Sequence, residues 1–435
     1  MIPSSPIARV LFLLPVLALA RFAAAVPATA FGIVDDMAPG WNLGNTLDAS
    51  GGETGWGNPV TTQRMIDTVH AAGFRTMRIP IRWDEHLSGT AHTIATTWLD
   101  RIEQIVNYGL KDSMYVIINV HHNNGWEDPT TANATNAQDY LTKIWAQVAA
   151  RFQKYDNHLI FETMNEPTVT TNGSTDWYGK VEYYNVVNQL NAAALSTIRA
   201  TGGNNAGRLV MMPGYAANSD SRMSYMVVPK DSMVAVSVHD YDPMDFCLTV
   251  PGVSTFTETT LVDNTMNLVA NTFVKKGIPV VLGEWGTVDK NDLAERAKHA
   301  AYFTKVAKAA RITTLLWDDG GSMGILKRSV PTWAFPSIIQ GIMSVAGRTT
   351  SVQSSSSPAV APSVGLRVFR VADGIRFEST TSYDRYTLTG MDGGFVVLPG
   401  GRTGSIPAGS VRSGAYVLRA DGVDGAMVQK ILIGP

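Results

Sequence analysis

The sequence of 435 residues holds a single cysteine, Cys247, so no intramolecular disulfide can staple it and the fold must rest on its apolar core. Cys247 itself is expected to be a buried structural thiol. Charge of either sign is scarce: Asp, Glu, Lys and Arg make up 17% of the chain and nearly cancel, at a formal net charge of -2. That leaves no basic stripe for a phosphate backbone and no polybasic anchor for anionic lipid, so neither nucleic acid nor a membrane surface is an expected partner. Apolar runs are short as well. The longest, VLFLLPVLALA from Val10 to Ala20, cannot span a bilayer. With Arg9 before it and the small residues AVPATA after it, it reads as an export signal over residues 1–30, cleaved after Ala25 or Ala30, and predicts a secreted protein. Tryptophan is absent from the last seventy or so residues, although the chain has ten. An aromatic sugar platform is therefore not expected at that end.

What is present is an alternation of short apolar runs and segments of helical period from Phe31 to about Val345. The runs are Gly40 to Asn45, Phe74 to Ile81, Met114 to Val120, His158 to Met164, Arg208 to Pro213, Met233 to His239, Ile278 to Glu284 and Ile312 to Trp317. Between them, Leu141, Ile144, Trp145, Val148 and Phe152 share one helical face, as do Ile102, Ile105 and Val106, with Gly73 and Gly109 at expected helix C-caps. Near-continuous apolar strands separated by helices predict an α/β fold of the (β/α)8 TIM-barrel type over residues 31–348. A doubly wound open sheet is the alternative. Residues 349–362 (TTSVQSSSSPAVAP) read as a Ser/Pro-rich linker. Residues 363–435 read as a small all-β C-terminal module, sandwich-like, with an accessory or sorting role.

In a barrel the site lies where strands pass into loops. The run ends carry Asn42 and Asn45, Arg78, His121 and His122, Asn165 and Glu166, Gly214 and Tyr215, His239 and Tyr241, Glu284, and Trp317. Polar groups so consistently placed after apolar runs are hard to explain by packing, because a buried charge costs several kcal/mol unless paired. Two of them, Glu166 and Glu284, follow the fourth and seventh runs, which places two carboxylates partly across the barrel mouth from one another. Glycosidic hydrolysis needs such a pair, one to protonate the leaving oxygen and one to meet the anomeric carbon. Arg78 can hold one carboxylate ionised, Asn165 can bond a sugar hydroxyl, and Trp317, Trp56, Trp126 and Trp177 offer faces for sugar rings.

The motifs GWNLGNTLDA (Gly40 to Ala49), ETGWGNP (Glu53 to Pro59), RIPIRW (Arg78 to Trp83), NVHHNNGW (Asn119 to Trp126), FETMNEP (Phe161 to Pro167), HDYDP (His239 to Pro243), GEWG (Gly283 to Gly286) and LLWDDG (Leu315 to Gly320) together resemble glycoside hydrolase family 5 endoglucanases. The resemblance implies a retaining hydrolase of β-1,4-glucan in which Glu166 is the acid/base and Glu284 the nucleophile. It further implies that Arg78, His121 or His122, Asn165, His239, Tyr241 and Trp317 line the cleavage point. Trp285 stands where the family often has Phe, and HDYDP replaces the commoner HYYxP. The implied partner is a β-glucan polysaccharide or oligosaccharide, cellulose-type, mixed-linkage or xyloglucan, with no cofactor, no metal, and a monomeric enzyme. A β-mannanase of the same family, a metal-dependent barrel using His121, His122, His239 and Glu284, and a non-catalytic polysaccharide-binding barrel are the competing readings.

Overall fold

The structure, a computed structural model, describes residues 29–352 except 123, 124, 127, 173, 349 and 351, together with the strands between 366 and 433. The expected export signal and Ser/Pro-rich linker thus lie almost wholly outside the described residues. The chain divides into two compact units at Ser354/Ser355.

The first unit is a closed barrel of eight parallel strands in sequential order. These are β1 (Gly40–Asn42), β2 (Thr76–Ile79), β3 (Tyr115–Asn119), β4 (Leu159–Glu162), β5 (Val210–Pro213), β6 (Val234–His239), β7 (Val280–Trp285) and β8 (Ile312–Leu316). Every one of their residues is buried, as strands covered on both faces require. The outer helices are α2 (Gln63–Ala71), α3 (Thr96–Lys111), α4 (Ala134–Arg151), α5 (Val181–Ala200), α6 (Thr259–Thr272), α7 (Leu293–Ala309) and α8 (Pro336–Ala346), and a short α1 (Ala30–Asp36) precedes the barrel. Ile33, Val34 and Met37 of this N-terminal segment pack with Tyr115, Ile117, Ile160, Leu209, Ala235 and Val281, whose side chains form a second apolar cluster distinct from the main core. Between β5 and β6 the helix is replaced by two 3-10 turns, Tyr215–Ala217 and Ser221–Tyr225.

Gly73 follows α2 with φ +107°, the left-handed conformation that ends a helix at glycine. Gly109, expected to do the same for α3, instead lies inside it. There a Cβ would come within 2.7 Å of Val116 Cγ2, so the glycine lets α3 approach β3 closely. Packing, not capping, is its reason.

The second unit is one five-stranded antiparallel sheet, β9 (Leu366–Val371), β10 (Gly374–Gly390), β11 (Phe395–Pro407), β12 (Gly414–Gly422) and β13 (Gly425–Ile433). The long β10 pairs β9 through its first half, β12 through its second, and β11 along both, with a register shift between Glu378 and Tyr383. Its buried residues include Phe377, Tyr386, Leu388, Ile406, Leu418 and Ala420. Gly404 lies directly under Phe377, where a Cβ would be 2.1 Å from the ring.

Candidate active site

Polar side chains from several of the strands and strand ends converge around Arg78, while Tyr215, after β5, lies apart from them. This guanidinium is fully buried on β2, an arrangement tolerable only with partners for its charge and its donors. It has them: Nε donates to Glu162 Oε2 at 2.8 Å, Nη1 to Asn42 Oδ1 at 3.0 Å and Glu284 Oε1 at 2.8 Å, and Nη2 to Asn165 Oδ1 at 2.9 Å. The two carboxylates push its pKa up against the opposing effect of burial.

Glu162 went unnoticed in the sequence because it stands inside the run HLIFETM and looks like an ordinary strand residue. It is completely buried and also accepts from Asn119 Nδ2 at 2.9 Å and Ser237 Oγ at 2.6 Å. The signal that could have revealed it is charge balance, since a buried arginine beside one carboxylate that must stay reactive calls for a second.

Glu284 reaches the site through an irregularity in β7. Val238 pairs with Leu282, but His239 pairs with Glu284, so Gly283 is an extra residue that bulges the strand. Such a bulge re-aims the next side chain. Glycine fits because a Cβ would sit 3.0 Å from His239 Nε2 and 3.3 Å from Ser237 Oγ. Besides Arg78, the Glu284 carboxylate accepts from Tyr241 OH at 3.1 Å. Glu166 stands past the end of β4, its Oε1 2.6 Å from His239 Nδ1, and His239 Nδ1 is 3.8 Å from Glu284 Oε2. Glu166, His239 and Glu284 present polar atoms that all lie within 4.8 Å of one another.

The electrostatics of this trio follow from its burial. Burial drives the Glu166 carboxyl up, but the hydrogen bond and charge of His239 outweigh it and hold Glu166 below its ordinary value. Burial pulls His239 down, yet Glu284 and Glu166 together carry it above the usual imidazole value. Glu284 is raised by burial and by the charge of Glu166, against the pull of His239 and Arg78. These opposite shifts favour the imidazole of His239 as the holder of the shared proton.

His121 and His122 both belong here, on different sides. His121 is buried, accepts from Asn119 Nδ2 at its Nδ1 (3.1 Å), and has Nε2 4.0 Å from Glu284 Oε1. Burial, with His122 and Arg78 nearby, pushes it well below the ordinary histidine value. His122 is more open, with Nε2 4.0 Å from Asp48 Oδ2. Burial and Arg82 lower it to about 4. Trp317 lies parallel to His121 at 6.0 Å and covers Gly44, where a Cβ would be 2.7 Å from the indole. Asn45, with φ +53°, directs its carbonyl to Asn58 Nδ2 at 2.8 Å. Trp56 is 44% exposed beside His122, 5.9 Å away ring to ring. Trp126 lines a small cavity with His121, Asn165 and Glu166, but one face is already stacked on Tyr140 of α4 at 3.9 Å. Only its other face is left for a ligand. Trp177 is 51% exposed in the β4–α5 connection.

Two groups here have the residue types that hold metals, the trio above and Asp48 with His121 and His122. Several of their donor atoms are already engaged. The first group faces the Arg78 cation at 2.8 Å, and in the second Asp48 accepts from the main-chain N–H groups of Asn45 and Thr46 while His121 Nδ1 takes the Asn119 amide. These contacts fit a hydrogen-bond network better than a divalent ion.

A closed (β/α)8 barrel with a buried arginine and convergent carboxylates at its strand ends defines a barrel hydrolase class. Residues 42–322 match the family model Cellulase (glycosyl hydrolase family 5). Endoglucanase B of Clostridium cellulovorans is 44% identical over 343 residues, 74% of this chain and 77% of its own. Among solved structures, a GH5-4 broad specificity endoglucanase from Clostridium acetobutylicum superposes with TM-score 0.71 at 43% identity, covering 72% of this chain and 99% of its own. A Glycoside Hydrolase 5 Lichenase from Caldicellulosiruptor sp. F32, a mutant in complex with cellotetraose, does so with TM-score 0.70 at 38% identity over 73% and 96%. The chain belongs to glycosyl hydrolase family 5 and is a glycoside hydrolase.

Proposed function

We propose that this chain is a secreted, retaining endo-β-1,4-glucanase with Glu166 as acid/base and Glu284 as nucleophile. The observation that carries the reading is the approach of the two carboxylates to within 4.8 Å. Double displacement uses carboxyl groups about 5 Å apart, whereas inversion needs roughly 6.5–9.5 Å to admit a water. On substrate binding the proton on His239 Nδ1 passes back along its 2.6 Å hydrogen bond to Glu166. Glu166 then gives that proton to the glycosidic oxygen as Glu284 attacks the anomeric carbon, breaking the bond to the leaving chain and forming a glycosyl ester. Water, deprotonated by Glu166, attacks the same carbon and releases Glu284. Arg78 and Tyr241 hold the attacking carboxylate in position through their hydrogen bonds to its two oxygens.

Asn45, His121, His122, Asn165, His239 and Tyr241 are the polar contacts for the sugar, with Trp317, Trp56 and the open face of Trp126 as platforms. The substrate is a neutral soluble β-glucan of the cellulose, mixed-linkage or xyloglucan type, in keeping with the endoglucanase and lichenase relatives. Residues 1–30 direct export, residues 31–348 are the catalytic unit, and residues 363–435 are an accessory module on a monomeric enzyme. Release of reducing ends from carboxymethylcellulose, barley β-glucan, xyloglucan and mannan tests the substrate assignment. Activity on the glucans is expected, and activity on mannan alone refutes it.

A further inference from the structure

Past Thr163, whose N–H still reaches the Met211 carbonyl at 3.0 Å, the main chain leaves the barrel ladder before it arrives at Glu166. It is picked up again from the end of β5. Ala216 donates its N–H to the carbonyl of Pro167, the residue after Glu166, at 3.0 Å. Tyr215 OH accepts from the Val169 N–H at 3.1 Å and donates to the Asp176 carbonyl, so one hydroxyl closes the hairpin Val169–Thr171/Ser174–Asp176 at its base. Tyr215 is 4% exposed, and burial pushes its pKa up to about 12, which keeps the hydroxyl neutral and able to do both.

The ring is enclosed. Tyr183 stacks on it at 5.9 Å, Tyr184 meets it edge-on at 5.6 Å, and Gly179 lies so close that a Cβ would be 2.6 Å from Cε1. The turn it starts is strained, with φ +53° at Ala216 and +46° at Ala217. Two consecutive left-handed alanines each cost on the order of 1 kcal/mol and persist only where surrounding contacts enforce them. No side chain of this turn meets the reacting atoms, yet its contacts fall immediately after Glu166.

We infer that Tyr215 is a positioning residue for Glu166, fixing through Val169, Asp176 and the Ala216–Pro167 contact the backbone that carries the acid/base carboxyl. The inference rests on the reading of Glu166 as the acid. Misplacing a catalytic group by about 1 Å costs around 10²-fold in rate, so a loosened loop has a measurable signature.

The test compares kcat/KM for cellotetraose, whose leaving group needs protonation, with that for 2,4-dinitrophenyl β-cellobioside, whose leaving group does not, in E166A, Y215F and G179A. Y215F should lose about tenfold or more on cellotetraose and keep its rate on the dinitrophenyl glycoside, a milder copy of E166A. G179A, which displaces the ring and keeps the hydroxyl, should give the same selective loss and carries the test if Y215F does not fold. Equal losses on both substrates, or none, in the folded variants overturn the positioning role while E166A remains selective. An E166A variant slowed equally on both overturns the assignment of Glu166, and the inference with it.

Discussion

Arg78 lies between two carboxylates, bonded to Glu162 and Glu284 at 2.8 Å each, and only the second of them faces the reacting centre. Glu162 balances the buried cation, so that in the proposed mechanism Glu284 is oriented by Arg78 and left free to attack.

Lysine at position 78 keeps a charge but cannot span Glu162, Asn42, Glu284 and Asn165 at once. R78K should therefore lose about 3–5 kcal/mol of stability, as expected when a buried ion pair is broken. Urea unfolding checks this, and a loss under 1 kcal/mol would mean the network is dispensable.

The activity should be bell-shaped in pH. Glu284 must be ionised, and its pKa lies above the ordinary carboxylate value, so the acid limb falls above about pH 4.3. The Glu166–His239 pair must keep one proton, and His239 lies above its ordinary value, so the alkaline limb falls above about pH 6.5. In H239N the last proton resides on Glu166 alone, released from the histidine that holds its carboxyl down, and the alkaline limb should shift from its wild-type position. An unmoved limb in the kcat/KM profile contradicts the shared proton.

Burial raises Asp48 from 3.8 to about 6. A carboxyl raised on folding stabilises the folded state below its unfolded pKa, and that contribution disappears as pH rises through the folded value. Relative to D48N, the wild type should thus lose about 2 kcal/mol between pH 4 and pH 7. Parallel stability curves for the two proteins would rule this out.

Export with cleavage after Ala25 should leave Thr29 on the mature protein. Its Oγ1 caps α1 by accepting from the Gly32 N–H at 3.0 Å, and Ala30 is already buried. Cleavage after Ala30 discards a cap worth about 1 kcal/mol. N-terminal sequencing of the secreted enzyme should begin at Val26, and a start at Phe31 would contradict the expectation.

Much of this architecture is legible in the sequence because buried parallel strands leave a direct trace, an apolar run followed by a polar side chain. That rule points to Arg78, His121, Glu166, His239 and Glu284, which the fold brings together. Glu162 was not, because its reason for being there is Arg78, 84 positions earlier and adjacent only once the barrel closes. The bulge at Gly283 and the stacking of Trp126 on Tyr140 are likewise products of strand register and tertiary packing. Gly109 misled because glycine ends helices more often than it admits a neighbouring strand. The missing fifth helix corresponds to Gly214 to Lys230, a stretch whose polar residues define no apolar face.

In the proposed double displacement Glu284 attacks the anomeric carbon itself, as its approach to Glu166 within 4.8 Å allows. Proton NMR of the first product released from cellotetraose, recorded before mutarotation, tests this most directly. Retention gives the β-anomer at the new reducing end, and the α-anomer appearing first would overturn the role of Glu284 as nucleophile.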